Sequence, residues 1–299
     1  MNQKNLSAHL AVLGANIIFG LNYVIAKGIM PNWLEPRAII VLRVLGAASV
    51  FWLVDMIGSS QTVARKDMKR MFIAAFFGIA LNQIMFFEGL NLTTPINASI
   101  IMVGTPIFVL LMSSFLIGEK ITGRKTIGII LGFSGAAFLI LRNGSFSLSS
   151  DTELGNLFIL INASSYGLFL VLVKPLMKKY KPLTVMKWVF TFGLIFVIPV
   201  SWKQISSADF GAIPFNIWLS ITYVILFTTI LAYFLNNYSL QKISPTATSS
   251  YMYLQPIIAS LVAIAAGKDR LNLTEIIAGI LIFTGVYFIN RTPHSAKIV

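Results

Sequence analysis

The chain of 299 residues is 57% hydrophobic and only 11% charged, with a mean hydropathy of +0.82 and a net charge of +13. Soluble proteins carry about 25% charged residues, and a soluble chain of this size has too little polar surface to cover so many apolar side chains. The composition excludes a soluble globular protein and predicts the lipid bilayer as a partner of the folded chain.

The net charge could also indicate nucleic-acid binding, but the positions of the cations argue against it. Lys and Arg occur in short segments between long apolar runs, which is typical of membrane topology rather than of a basic face with aromatic side chains. The absence of cysteine excludes a disulfide, a thiolate nucleophile and a cysteine metal site. We therefore expect a small-molecule substrate, and neither nucleic acid nor a cofactor or metal.

Ten apolar runs follow in chain order, each close to the roughly 20 residues that cross a bilayer as a helix. The first run is expected to be a mature helix rather than a signal peptide, because Asn16 and Asn22 interrupt it. A polar linker from Arg142 to Glu153 separates two groups of five. The sequence thus predicts an all-α integral membrane protein with transmembrane helices near 8–26, 37–57, 71–90, 96–117, 125–141, 155–173, 184–202, 215–236, 246–266 and 273–290.

The distribution of cations predicts the orientation. If both termini are cytoplasmic, cytoplasmic segments hold about 16 cations, including Lys174 and Lys187, and the opposite side holds about six, including Lys27 and Arg37. This asymmetry satisfies the positive-inside rule. We expect a multi-pass protein of the inner or plasma membrane. The sequence leaves the oligomeric state open and is compatible with a monomer.

A repeat relates the two groups of helices at a fixed offset of 150 residues. Pro95 pairs with Pro245 and Pro106 with Pro256, and many apolar positions match between them. Two five-helix repeats are therefore predicted, at 1–147 and 148–299. Because five is odd, the second repeat must enter the membrane upside down, which gives an inverted-topology pair around a shared cavity.

Several short motifs carry a family resemblance. Residues 19–27 read Phe-Gly-Leu-Asn-Tyr-Val-Ile-Ala-Lys, Arg43 lies in the second helix, residues 88–95 begin Glu-Gly-Leu and end Thr-Pro, and Gly118-Glu119 follows the fourth helix. In this order they resemble the EamA branch of the drug/metabolite transporter superfamily, in which Trp usually stands at the position of Phe19. The resemblance implies ten helices in two EamA-like repeats, and efflux of metabolites such as amino acids, or of toxic compounds.

Three charged residues within or near the spans are candidate site residues. Arg43 could bind a substrate carboxylate or an acidic partner, or it could extend towards the lipid interface or form a structural ion pair. Lys27 lies nearer a span boundary, where an interfacial anchor is the alternative. Glu88 could couple transport to protons, or it could be a fixed partner of Arg43 or Lys27.

Uncharged polar residues within the spans predict a polar chamber. Amides and phenols in hydrocarbon need partners, so they face other helices or a water-filled cavity. Pro106 and Pro256 are expected at equivalent mid-helix positions, as gating hinges or static kinks. The predicted cavity residues are Asn16, Asn22, Asn82, Gln83, Asn162, Tyr166, Tyr233, Asn236, Asn237, Tyr251 and Gln255.

Other functions find less support in the sequence. The segment from Gly118 to Thr126 approaches a P-loop, but Arg124 stands where the motif requires Lys. The two histidines, His9 and His294, lie at opposite ends of the chain, which disfavours a histidine metal site or catalytic triad. We expect a secondary transporter that works by alternating access. A passive channel or facilitator is the alternative, and a membrane-embedded enzyme is less favoured.

Overall fold

The computed structural model describes residues 3–58, 61–143, 150–265 and 273–290, and every regular element in these ranges is helical. This confirms the predicted all-α class. The helices are α1 (Gln3–Ile29), α2 (Pro36–Ile57), α3 (Arg65–Ala75), α4 (Asn82–Leu92), α5 (Pro95–Met102), α6 (Thr105–Ile117), α7 (Gly123–Asn143), α8 (Ser150–Met177), α9 (Pro182–Ser206), α10 (Phe215–Tyr223), α11 (Ala232–Lys242), α12 (Pro245–Ser250), α13 (Leu254–Ala265) and α14 (Leu273–Asn290).

Six helical stretches in the described residues are long and apolar enough to cross a membrane, and each coincides with one of the predicted spans. A helix rises 1.5 Å per residue, so stretches of 22 to 28 residues exceed the thickness of the hydrocarbon core. The chain is therefore a multi-pass membrane protein. The six stretches are Leu6–Ile29, Pro36–Ile57, Arg65–Leu92, Asp151–Met177, Pro182–Ser206 and Phe215–Lys242.

The predicted linker between the two halves differs from the structure at both of its ends. α7 continues to Asn143 and α8 begins at Ser150, so the described parts of the segment from Arg142 to Glu153 are helical. Asp151 and Glu153 occupy the first turn of α8, where the helix dipole favours carboxylates. The predicted boundary at 147/148 lies outside the described residues.

Two π-helical segments occur at equivalent positions in the halves. Phe76–Leu81 joins α3 to α4, and Val224–Leu231 joins α10 to α11, so each pair forms one continuous helix. A π-helical turn displaces backbone carbonyls from their usual intrahelical partners. In both segments a hydroxyl takes up such a carbonyl: Ser165 Oγ donates to Phe77 O at 2.6 Å, and Thr229 Oγ1 donates to Val224 O at 2.7 Å.

The helices that contain Pro106 and Pro256 are interrupted just before the prolines. A turn at Val103 and Gly104 separates α5 from α6, and a 3-10 segment, Tyr251–Tyr253, separates α12 from α13. Pro106 is the second residue of α6 and Pro256 the third of α13. Both therefore lie in a first helical turn, where the missing N–H costs no hydrogen bond, rather than within a continuous helix as expected from the sequence.

Two lysine contacts lie at opposite ends of the helix bundle, because α1 runs antiparallel to the continuous helix α10–α11: Tyr238 bonds to Ser7, and Tyr223 bonds to Ile18. Lys27, near the end of α1, donates from Nζ to the carbonyls of Leu90 and Asn91, both at 2.8 Å. Lys174, near the end of α8, donates to the carbonyls of Leu240 at 2.5 Å and Ile243 at 2.7 Å. We call these ends the Lys27 end and the Lys174 end.

The halves pack through matching pairs of helices. α4 contacts α8, and α1 contacts α11. These two contacts are equivalent, because α1 and α4 of the first half correspond to α8 and α11 of the second. α2 contacts α9, which is its counterpart in the second half. Gly89 and Gly155 allow the close approach of α4 and α8, because a Cβ on either would lie 2.9 Å from the carbonyl oxygen of the other. The interior between these pairs is where the candidate site lies.

Candidate functional site

A buried cavity lies between the two halves. Residues of α1, α2, α4 and α5 line one part of its wall, and residues of α8, α11, α13 and the segments Val224–Leu231 and Tyr251–Tyr253 line the rest. The empty space within the lining is about 500 Å³ when open solvent is included, and about 70 Å³ of the cavity is open to the centres of water molecules. That space exceeds the 10–15 Å³ or so that one water requires, so the cavity is large enough for several waters or a small solute.

Eight of the residues predicted for the chamber line this cavity, although they come from six different helical elements. All eight are nearly fully buried, so their polar atoms face the cavity or one another rather than bulk solvent. Their functional roles stay predictions. The eight are Asn22, Arg43, Asn82, Gln83, Asn162, Tyr166, Tyr233 and Gln255.

Arg43 supplies the only basic side chain in the described lining. It is 3% exposed, its Nε donates to Thr229 Oγ1 at 2.7 Å, and its guanidinium lies 4.6 Å from the centre of the Phe87 ring. Among the described residues, no carboxylate forms an ion pair with it, and Nε is the sole guanidinium nitrogen that donates to another residue. Much of its donor capacity is therefore open to a ligand.

Several other buried polar atoms in the lining have no hydrogen-bond partner in the described structure. They are Asn22 Oδ1, Asn162 Oδ1 and Thr228 Oγ1. An unpaired buried polar group costs about 1–3 kcal/mol, so this concentration around one cavity is unfavourable unless water or a solute satisfies it. The lining thus offers donors and acceptors to a polar ligand.

A hydrogen-bonded network holds the rest of the polar lining in place. The Asn162 amide donates to Asn82 O at 2.7 Å, and the Tyr233 hydroxyl donates to Asn82 Oδ1 at 3.1 Å. Gln255 accepts from the Tyr23 hydroxyl at 3.3 Å. These contacts join α4 with α8, α11 with α4, and α13 with α1, so both halves fix the cavity shape.

Asn16 and Asn236 do not line the main cavity but a second, smaller one beside it. Asn16 accepts a hydrogen bond from Gln255 Nε2 at 2.8 Å, and Asn236 donates to the Tyr166 hydroxyl. Both therefore contact residues of the main lining without reaching the main cavity.

The remaining four predicted residues lie outside both cavities. Lys27 binds backbone carbonyls at the Lys27 end, and Glu88 pairs there with Arg37 at 2.5 Å instead of with Arg43 or Lys27. Asn237 donates to Tyr233 O at 2.9 Å and to Met186 Sδ. Tyr251 bonds to His9 Nδ1 at 2.8 Å near the beginning of α1.

The apolar side chains that line the main cavity were not predicted from the sequence. Phe19, Phe86, Phe87, Met102 and Met252 contribute to the wall, together with the polar residues Tyr23 and Thr228, which were also not predicted. An aromatic or methionine residue in a membrane helix carries no sequence signal that separates cavity from lipid, because both environments favour apolar side chains. Only helix rotation within the bundle decides which way these residues face.

A buried ion pair between Asp55 and Lys187 was also missed. Lys187, which the cation pattern assigns to a cytoplasmic segment, lies in α9 and is 3% exposed. Its Nζ lies 2.5 Å from Asp55 Oδ2 and 4.4 Å from the centre of the Trp52 ring. The signal was available, since Asp55 lies within a predicted span, where any charge needs a partner.

Comparison with known proteins gives the family. The model of the EamA-like transporter family matches residues 6–141 and again residues 153–291. The uncharacterized transporter YyaM of Bacillus subtilis (strain 168) is 24% identical over 288 residues, which cover 95% of this chain and 93% of that protein. An uncharacterized transporter of Archaeoglobus fulgidus is 25% identical over 297 residues, covering 97% of this chain and 99% of the relative.

Two further similarities are more distant. A probable terminal-alkyne amino-acid exporter of Streptantibioticus cattleyicolor is 22% identical over 226 residues, which cover 76% of this chain and 74% of the relative. One crystal structure matches with a TM-score of 0.76 at 17% identity, over 95% of this chain and 96% of the other, which shows a shared fold. Together with the two family matches and the apolar helices, the comparisons establish that this chain is a membrane transporter, not an enzyme, and belongs to the EamA-like transporter family.

Proposed function

We propose that the protein is a secondary carrier that exports a small metabolite with a carboxylate group, such as an amino acid or a related compound, by alternating access. The observation that carries this proposal is the buried cavity between the halves, in which Arg43 has no carboxylate partner among the described residues. A guanidinium binds a carboxylate through two parallel hydrogen bonds. The substrate would supply the missing anion.

The rest of the lining is consistent with an amino acid or similar solute. Amide and hydroxyl groups without partners could bind a substrate ammonium or polar side chain, and Phe19, Phe86 and Phe87 offer apolar surface beside them. Such a mixture of apolar walls and a few converging polar groups is typical of small-molecule sites. A relative is named a probable amino-acid exporter, which agrees with this substrate class, and export of a toxic compound is the alternative within the same mechanism.

Alternating access requires two halves that can exchange conformations. The family model matches twice in succession, and π-helical segments, interrupted helices and lysine contacts recur in both halves. Lys27 and Lys174 make equivalent contacts at opposite ends of the bundle, which supports two five-helix repeats of inverted topology and ten spans. We place the protein in the inner or plasma membrane with both termini and the cation-rich Lys174 end in the cytoplasm.

Flux measurements with purified protein in liposomes test the proposal. Thermal-shift screening of amino acids and related carboxylates would select the solute, which is then loaded inside the vesicles. A carrier gives saturable uptake that is accelerated by unlabelled solute on the other side. Flux that does not saturate and shows no such counterflow would instead indicate a channel, and an absence of flux for every solute that shifts the melting temperature would contradict the carrier.

A further inference from the structure

A second cavity adjoins the main one and shares part of its wall. It has about 10 Å³ open to the centres of water molecules, close to the space that one water needs. Phe19, Tyr166 and Met252 contribute to both cavities. We call these three residues the septum, because they line both cavities.

The second cavity lies nearer the Lys174 end. α1 begins at this end, so Asn16, three residues before Phe19, lies closer to it than Phe19 does. α8 ends at the same end, so Leu170, four residues after Tyr166, lies closer to it than Tyr166 does. On α11, which also ends here, Asn236 follows Tyr233 by three residues. Three or four residues are about one helical turn, or 5.4 Å, so the three helices place the second cavity one turn beyond the main cavity.

The septum is held by contacts that include no ion pair in the part of the chain that the structure describes. The Tyr166 hydroxyl accepts a hydrogen bond from Asn236 Nδ2, and the Phe19 ring meets the Tyr233 ring edge-on at 6.1 Å between centroids. Met252 is 6% exposed and has a flexible side chain that adapts to neighbouring shapes. One hydrogen bond and apolar contacts are interactions that can break and re-form during a transport cycle.

α12 carries two residues that line the second cavity, Thr248 and Ser249. α12 has six residues, and the hydroxyls of Thr248, Ser249 and Ser250 donate to carbonyls three or four residues earlier in the chain. These bonds stay intact if α12 shifts as a unit, and the shift breaks the longer contacts of Thr248 with Ser239 at 3.3 Å and of Ser250 with Asn290 at 3.4 Å. The 3-10 segment that follows α12 carries Met252, so such a shift would withdraw Met252 from the septum.

We propose that the second cavity is the closed section of the permeation pathway between the main cavity and the Lys174 end, and that Phe19, Tyr166 and Met252 form the gate. The proposal rests on the carrier function. It assigns the septum the role of a barrier to solute, and Asn236 the role of positioning Tyr166 in that barrier.

Cysteine accessibility tests the gate directly, because the chain has no cysteine of its own. Ser249→Cys reports on the second cavity and Asn22→Cys on the main cavity. Ala163→Cys, at a fully buried position of α8 outside both linings, is the matched control. Each variant in liposomes is treated with a small membrane-impermeant methanethiosulfonate reagent on one face at a time, alone and combined with Met252→Ala or Tyr166→Phe.

Met252→Ala is expected to raise the labelling rate of Asn22→Cys from the face at the Lys174 end by at least about tenfold, because a smaller side chain in a packed barrier favours the open state. Tyr166→Phe, which removes the acceptor of the Asn236 bond but keeps the ring, should give a smaller increase of the same sign. Ala163→Cys should stay unlabelled throughout.

Unchanged labelling of Asn22→Cys and Ser249→Cys in both gate variants would overturn the proposal, as would equal labelling of Ala163→Cys, which would indicate general loosening. The labelling is measured without any transported solute. Normal counterflow together with labelling that the gate variants leave unchanged therefore contradicts only the gate. An absence of flux together with labelling that the gate variants increase contradicts only the carrier.

Discussion

Arg43 is the residue whose environment most constrains the chemistry of the cavity. A charged side chain in the middle of a membrane costs about 2.5–3.5 kcal/mol on insertion scales. The hydrogen bond to Thr229 and the face of Phe87 offset part of this cost. A bound carboxylate would offset more of this cost, so Arg43 would stabilise the substrate-bound protein relative to the empty protein.

Replacing Arg43 is therefore expected to lower the affinity for a carboxylate substrate. Arg43→Gln removes the charge and the paired donors, and we expect the KM for a carboxylate substrate to rise by at least about tenfold, since a hydrogen bond to a charged group contributes about 1.5–3 kcal/mol. Arg43→Lys keeps the charge but loses the planar fork, so an intermediate KM is expected.

Counterflow in liposomes measures both KM values, and Arg124→Gln is the matched control because Arg124 is an exposed arginine far along the chain from any cavity lining. Equal KM values for Arg43→Gln and Arg124→Gln would show that Arg43 does not contact the substrate.

Asp55 and Lys187 illustrate the opposite use of charge, in which two ions within the membrane neutralise each other. Both side chains are 4% exposed. Removing one partner leaves the other buried and unpaired, so Asp55→Asn is expected to destabilise the protein by about 3–5 kcal/mol. The double variant Asp55→Leu with Lys187→Leu should recover much of that loss. Thermal unfolding in detergent measures both, and a single variant that melts like the wild type would contradict the structural role.

At the scale of helices, the two lysine contacts are the most informative feature. The last carbonyls of a helix have no intrahelical partner, and cations stabilise this end. Lys27 binds the carbonyls at the end of α4, and Lys174 binds those at the end of α11. The residues after these two helix ends also correspond. The Thr94 hydroxyl oxygen accepts a hydrogen bond from Asn97 N at 3.1 Å, and the Ser244 hydroxyl oxygen accepts one from Ala247 N at 3.2 Å.

Because the two contacts lie at opposite ends of the bundle, their loss should be additive. Lys27→Met and Lys174→Met are each expected to lower the melting temperature, with the double variant lowered by the sum of the two shifts. Lys66→Met, at an exposed position of α3, should melt like the wild type. A double variant no less stable than the worse single variant would mean that the two lysines do not act independently.

At the scale of the whole molecule, inverted topology makes a prediction about two equivalent positions. Lys66 and Asn216 are 150 residues apart, and both are exposed near the beginning of a long helix, α3–α4 and α10–α11. In two inverted repeats they lie on opposite faces of the membrane. Lys66→Cys should therefore be protected from an impermeant maleimide in intact cells, and Asn216→Cys should be labelled. Labelling of both from the same face would contradict the inverted arrangement.

Many of the predicted cavity residues were found because of a rule that applies to any membrane helix. Asn82, Asn162 and Tyr233 had to face protein or water, since an amide or phenol in lipid has no partner. The rule does not say which partner is met, so it also selected Asn237 and Tyr251, whose hydrogen bonds are made within the bundle. The fixed offset of 150 found Pro106 and Pro256 but not Lys27 and Lys174, which are 147 residues apart and correspond only through the carbonyls they bind.

The sequence alone determined the membrane environment, the helical class and the family, because composition and hydrophobic length are sums over many residues and tolerate local errors. Six of the ten predicted spans are long apolar helices in the described residues. The tertiary structure decided which charges are paired and which side chains enclose space. Glu88 meets Arg37 and Lys187 meets Asp55, whereas Arg43 meets no carboxylate among the described residues. These outcomes depend on how each helix is rotated and how far along its neighbour it packs, and packing between helices of both halves sets those two quantities together.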